Sequence, residues 1–466
     1  MDIATGRDSR LTRRGATPVI GVLSVVALSV GALSVSAAPA SAATGSCGAT
    51  CTQFVAPAEV TAGRADAAQA LTESLAAVPR GWTLQLPPGT FRVSRPVRVP
   101  AGVSLAGSGM DRTTLLLDRR SWANFSYGFV ITGAGSKRAQ WATTVRDLTV
   151  NGNRVPVDPV GAGLKPRSNQ GGGVRLADGW TVSRVRFANL NYFKVWAKGV
   201  SDVVVEDSRF EETGNGVASG NDNIGGGAVT RGVFRGNLFA ATARGNAIDL
   251  VAGRRIAFER NQIMGTAKAP HNVYLEGATD SSVIANTLRN SSINIQSNSG
   301  YSSARRVVNP SRVTVADNVV VDPAAQGISL RYDPARGGTA AAGGNRIVRN
   351  QVVRSRVAGI IVMAAADGLV STADEVVANR VEDPFAGGAD EWNCGYGVAG
   401  AAGIVIGVAR GSDVSGNIVS DLRSQPSTRI GVQFGLRGSR GVTVDHRTGS
   451  PNVVFGVAMA EFTAGT

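Results

Sequence analysis

Residues 245–278 read "GNAIDLVAGRRIAFERNQIMGTAKAPHNVYLEGA" and hold two short apolar stretches, each with a carboxylate set into its alternation, Asp249 and Glu276. In a half-buried strand successive side chains point to opposite faces. With Ile248, Leu250, Val273 and Leu275 turned inward, Asp249, Tyr274 and Glu276 face outward. Two carboxylates held roughly 5–9.5 Å apart work on a glycosidic bond, one as acid and the other as nucleophile or base. Joined by Asp222 of "SGNDNIGGG", the same pair offers the oxygen ligands that a hard cation such as Ca²⁺ prefers. Tyr274 and His271, the latter at the turn into the strand, suit a third chemistry, proton transfer at a carbon atom. An ordinary solvated sheet face also carries outward acids, so the stacking of the strands has to decide.

Self-similarity supplies that stacking. An apolar-alternating stretch, an Asn, one variable residue and an apolar residue recur at Asn237, Asn261, Asn286, Asn318, Asn350, Asn379 and Asn417. After each comes a second short strand, as in "GVRLA", "NAIDL", "NVYLE", "GISLR", "GIIVM" and "GIVIG". Short strands on a period of 20–35 residues, with almost no helical periodicity, predict a parallel β-solenoid in which each coil gives one strand to each sheet. The recurring Asn is expected at a corner, where left-handed backbone angles are tolerated and amides ladder. Leucine-rich repeats would need regular Leu spacing and helical second halves, which the sequence lacks. The stretch "ADAAQALTESLAAV" (65–78) predicts one helix, placed to cap the open end of a solenoid.

Aligning the second strands by their inward residues gives two outward files. The first reads Arg175, Trp196, Ala218, Asp249, Tyr274, Asn294, Ser329, Ile361, Val405, and the second Ala177, Lys198, Gly220, Val251, Glu276, Gln296, Arg331, Met363, Gly407. Polar and aromatic groups fill the middle coils and apolar ones the later coils, a grading that a uniformly solvated face does not need. Asp249 and Glu276 lie one coil and two residues apart, about 8 Å between Cα atoms. Lys198 and Arg331 stand two coils from the nearer acid, as distant bases or sugar contacts. Trp196 offers a face for a sugar ring, with Arg175, Asn294 and Gln296 as further binding groups.

The chain divides into a signal segment (1–42), an N-terminal segment with the helix (43–82) and the solenoid (83–466). Arg10, Arg13 and Arg14, the apolar run after them and Ala40-Ser41-Ala42 form a secretory signal. "RR" at 13–14 fits twin-arginine export and an ordinary basic flank equally. No later segment is long and apolar enough for a membrane span, so a secreted, extracellular protein is expected. The 466 residues carry 48 basic and 34 acidic side chains, and losing four Arg and two Asp with the signal leaves a net charge of about +12. That field attracts anionic polymers, or simply solvates the surface. Scattered basic residues and export argue against nucleic acid. Cys47 and Cys51 are spaced to pair, Cys394 is left over, and two histidines exclude a His-rich metal centre.

"WTLQLPPGTFRVSRPVRVPAGVSLAGSG" (82–109) resembles the opening of the pectate-lyase-like right-handed β-helix superfamily. The resemblance implies an all-β, single-stranded right-handed parallel β-helix with an N-terminal capping helix, and a carbohydrate-active function. Chemistry varies within the superfamily, so fold does not choose among its activities. Lyase chemistry implies Ca²⁺ on Asp222, Asp249 and Glu276, with Lys198 or Arg331 as base, on a uronate-containing glycan. A retaining glycosidase or fructotransferase implies the Asp249/Glu276 pair alone, and a non-catalytic adhesin implies neither. The "DPH" of epimerases and the clustered Asp motifs of polygalacturonases are absent. Positive charge and basic long inserts (132–144, 151–172, 298–312, 381–403) place β-elimination of an anionic polysaccharide first, with no cofactor expected beyond calcium.

Overall fold

The computed structural model describes residues 48–118, 128–134, 142–153, 171–190, 192–212, 222–241, 245–266, 270, 272–298, 308–332, 343–364, 373–385, 402–407, 410–435, 443–445, 450–457 and 459–463. Every described residue belongs to one compact unit, Gly45–Thr466. The signal segment, His271, Cys47, Cys394 and most of the four inserts lie outside the described residues. Cys51 is disulfide-bonded.

Every strand pairing is parallel, and each coil contributes three strands. In one coil these are Arg254–Glu259, Gln262–Met264 and Val273–Glu276. In the next they are Ser282–Ile284, Thr287–Arg289 and Ile293–Gln296, with Phe258 opposite Val283, Ile263 opposite Leu288 and Leu275 opposite Ile295. Three parallel sheets therefore run the length of a β-helix. The first two merge where Thr143–Asn151 and Trp180–Ala188 turn the corner without a break. Asp147 and Arg184, both left-handed, make that bend within the strand. The third sheet stands apart as 13 strands from Val97–Pro100 to Met459–Thr463. Inward residues of all three form one core, including a stack of Phe187, Phe210 and Phe239 with ring spacings of 5.0 and 4.6 Å.

The expected Asn stack is a hydrogen-bonded ladder. Nδ2 of Asn237 donates to Oδ1 of Asn261, and the same bond runs on through Asn286, Asn318, Asn350, Asn379 and Asn417 to Asn452, each at 2.9–3.0 Å. Asn261 also donates to the Phe234 carbonyl at 3.0 Å and accepts the Asn237 backbone N–H at 3.0 Å. Its amide is fully used although buried, which is the condition for a stable buried polar group. The backbone reason expected for these asparagines does not hold. The left-handed residue is the one before each: Gly236, Arg260, Ala285, Asp317, Arg349, Ala378 and Gly416. Asn recurs for its amide rather than for its backbone tolerance.

At the first coil, α1 (Ala58–Thr61) packs against Gly89–Val93 and α2 (Ala68–Ala77) against Val97–Pro100. The second helix buries Leu71 and Leu75 in the core, as its apolar spacing predicts. Among the described residues no helix is long and apolar enough to cross a membrane. Arginine is spent on ties between coils: Arg231 to Asp202, Arg235 to Glu206, Arg312 to Asp280, Arg349 to Asp317 and Arg354 to Asp322, at 2.5–2.8 Å. Exposed pairs of this kind each stabilise by about 0–1 kcal/mol. Much of the basic composition is thus structural.

Candidate functional site

The third sheet has the register needed to bring the acids together. Asp249 pairs with Tyr274 and Val251 with Glu276, so both acids face out from adjacent coils. The files continue through Asn294 and Gln296 to Ser329 and Arg331, then to Ile361 and Met363. In the other direction Asp249 pairs with Gly225, Gly225 with Trp196 and Trp196 with Arg175, while Lys198 pairs with Gly227.

One coil differs from expectation. Its strand is Ile224–Gly227, so Gly225 and Gly227 occupy the outward places expected for Ala218 and Gly220, which lie outside the described residues. The inward Gly226 explains why only glycine serves: a Cβ there would lie 1.7 Å from the Ala197 carbonyl oxygen. Asp222 consequently precedes its strand instead of extending it. It sits at the corner, where its Oδ1 accepts the Asn246 backbone N–H at 2.8 Å. Asn246 in turn points its Nδ2 at Oδ2 of Asp249, 3.5 Å away.

Electrostatics binds these groups into one cluster. Burial, then the charges of Asp222 and Glu276, push the Asp249 carboxyl up to about 7, against a weak hydrogen bond from Asn246. Burial also raises Asp222, opposed by the Asn246 backbone N–H and by the positive charge of Lys194. Tyr274 is raised by burial and by Asp249, with Arg331 pulling the other way. Desolvation and like charge both disfavour ionisation, so Asp249 holds its proton near neutrality and Tyr274 stays a neutral phenol. Glu276 accepts a hydrogen bond from Nε2 of Gln296 at 3.0 Å.

The other expected residues divide. Arg331 acts on Tyr274 across two coils, whereas Lys198 and Arg175 are exposed further along the face. Asn294 is buried, and its Oδ1 accepts from Gln326 and Ser329 at 2.9 Å. Trp196 is half-buried in a ledge with Phe193, 4.4 Å away, and Tyr192, 6.4 Å away. Phe193 lies over Gly225, where a Cβ would come within 2.2 Å of its ring. Sequence reasoning missed Lys194, Asn246, Phe193 and Tyr192. The run "NYFKVW" (191–196), aromatic and cationic just before an outward Trp, carried a signal for three of them. Among the described residues no group of three Asp, Glu, His or Cys converges as a metal site. No step is derived through the calcium ion expected on Asp222, Asp249 and Glu276.

No family model matches the chain, and no curated protein matches its sequence. Solved structures do. The A-module of a mannuronan C-5 epimerase from Azotobacter vinelandii is 16% identical with a TM-score of 0.51, over 87% of this chain and 95% of that one. The catalytic unit of a GH87 α-1,3-glucanase from Streptomyces thermodiastaticus is 17% identical with a TM-score of 0.53, over 87% and 68% of the two chains. PfbA, a surface adhesin of Streptococcus pneumoniae, is 14% identical with a TM-score of 0.56, over 78% and 88%. At these identities the likeness speaks to the fold alone, that of the pectate-lyase-like right-handed parallel β-helix.

Proposed function

We propose that the protein is an exported carbohydrate-active enzyme that cleaves a glycosidic bond over Asp249, as a glycoside hydrolase or transglycosylase. The observation that carries this reading is the position of Asp249 between two further acids, Asp222 and Glu276, with its carboxyl at about 7. A carboxyl raised to about 7 with two further acids beside it suits the division of labour that such cleavage uses. Asp249 protonates the glycosidic oxygen as its bond to the anomeric carbon breaks, and Glu276 or Asp222 stabilises or attacks that positive carbon. Water or an acceptor hydroxyl then bonds to the carbon and returns a proton to Asp249. Tyr274, neutral and stacked one coil on, donates a hydrogen bond to a sugar hydroxyl. The α-1,3-glucanase among the similar structures indicates that hydrolysis is compatible with this fold.

One observation favours the β-elimination reading: Arg175, Lys198 and Arg331 share the face with the acids and suit a uronate polymer. A single assay separates the two. The purified protein is given α-1,3-glucan, fructan, pectate and polymannuronate, and products are read as new reducing ends and as unsaturated uronate by ultraviolet absorbance. Reducing ends without unsaturation, lost in Asp249→Asn, are expected. Unsaturated product from a uronate polymer would overturn the hydrolase assignment in favour of the lyase.

A further inference from the structure

The outer face of the third sheet is open on one side of the acids and closed on the other. Towards the N-terminal coils, Arg175 and Lys198 are exposed and Trp196 is half-buried. The aromatic ledge continues there, with Tyr192 packed 4.6 Å from Phe193 and 5.7 Å from Phe129. Towards the C-terminal coils the outward residues disappear from solvent. Asn294 is 3% exposed and Ser329 1%, and Ile361, Met363 and Val405 are at 1% or below. The last three belong to a small second core with Phe385 and Val357, lying on the outside of the sheet. The half-buried Gln296 and Arg331 are the last outward places before it.

Neighbouring coils lie about 4.8 Å apart, so the files of the face run along the helix axis. A linear chain touching both the aromatic ledge and Asp249 must lie along that axis. On the ledge side it crosses two coils to reach Trp196 and meets no wall there among the described residues. On the other side roughly 10 Å separates the Glu276 coil from the Arg331 coil, and the Met363 coil then blocks further progress. That length holds one or two sugar units. Buried apolar side chains such as Met363 and Ile361 cannot part for a glycan without exposing core.

Resting on the hydrolase reading, we propose that the groove is one-ended. A glycan stacks its interior sugars on the Trp196–Phe193 ledge, sets its terminal sugar against the Arg331–Met363 step, and loses one or two sugar units from that end. Gln296 and Arg331 offer hydrogen-bond donors to the terminal sugar, which an interior segment of a long chain cannot present.

The test uses the mature protein on α-1,3-glucan and polymannuronate, following viscosity, reducing ends and product size together. Mono- or disaccharide as the first product, with viscosity held while reducing ends accumulate, is expected. Trp196→Ala should raise KM for long chains several-fold more than for a trisaccharide. Early collapse of viscosity with mid-sized fragments overturns the one-ended groove and leaves the hydrolase reading standing. If neither glycan is cleaved, the Asp249→Asn variant is titrated by tryptophan fluorescence with oligosaccharides of both glycans, blocked at one end or the other by a bulky group. Binding abolished by blocking one end only sustains the groove without the hydrolase. Equal tolerance of both blocks, or no binding at all, overturns it.

Discussion

Asp249 is placed where its charge is least welcome, and this couples activity to stability. Its folded carboxyl titrates at about 7 against 3.8 for the free side chain. The folded state therefore holds the proton more tightly, and stability is lost as pH rises from about 4 through 7. Asp249→Asn removes the charge while keeping the shape. The melting temperature of the variant should exceed that of the parent at pH 8 and approach it at pH 4, by calorimetry at both values. An equal difference at the two pH values would mean that the carboxyl is not strained by its neighbours. Activity should move the opposite way, falling by roughly 10²–10⁴-fold as a general acid is lost. In the parent, kcat should decline above about pH 7 as Asp249 ionises. The residual activity of Asp249→Asn should lack the alkaline decline. At this scale the outward facing of Asp249, Tyr274 and Glu276 was legible in the sequence, because alternation fixes which side a strand residue faces. Asp222, Asn246 and Lys194 act from corners, where alternation is silent, and no pattern of hydropathy reports on them.

The corner itself is the element that repeats. Asn286 sits inside the ladder, accepting the Asn261 backbone N–H at 2.9 Å and its Nδ2 at 3.0 Å, and donating to Asn318 at 2.9 Å. Asn286→Ala leaves two donors of Asn261 and one acceptor lobe of Asn318 buried and unpaired, so a loss of about 2–4 kcal/mol is expected in denaturant unfolding. Asn452→Ala, at the less buried end, should cost about 1 kcal/mol. Equal costs at the two positions would show that the amides do not act as a ladder. The neighbouring Ala285 holds φ 55°, a conformation that costs an L-residue about 1 kcal/mol and glycine little. Ala285→Gly should therefore be neutral or mildly stabilising, the reverse of Gly substitution within a strand. Spacing alone located this corner but put the left-handed angle one residue too late. Gly236 and Gly416 hinted at the true place, whereas Arg260, Ala285, Asp317, Arg349 and Ala378 concealed it.

Among the described residues most contacts pass between neighbouring coils, so stability is close to a sum of local terms along one axis. Repeat spacing made that architecture legible, since a pattern carried by many coils survives errors in any one. The Ile224–Gly227 coil was misplaced because three consecutive glycines carry no hydropathy signal. The apolar end of the outward files was visible as a trend, but its cause was not. Ile361, Met363 and Val405 are apolar because a second small core with Phe385 covers them, a contact between segments far apart in sequence. The ends of the axis differ in the same way. At the first coil α2 buries Leu71 and Leu75 completely, whereas the last coils leave Val453, Phe455 and Met459 40–48% exposed. Opening free energies follow buried apolar contact. Amide exchange should therefore be fastest in Val453–Phe455 and Met459–Thr463 and slowest around the Phe187–Phe210–Phe239 stack. Phe210→Ala breaks that stack and should cost about 3–5 kcal/mol. Because coupling passes from coil to coil, its effect on exchange should be strongest in the strands beside it and fade towards the last coils. Uniform loss of protection along the whole axis would instead mark the helix as one cooperative unit.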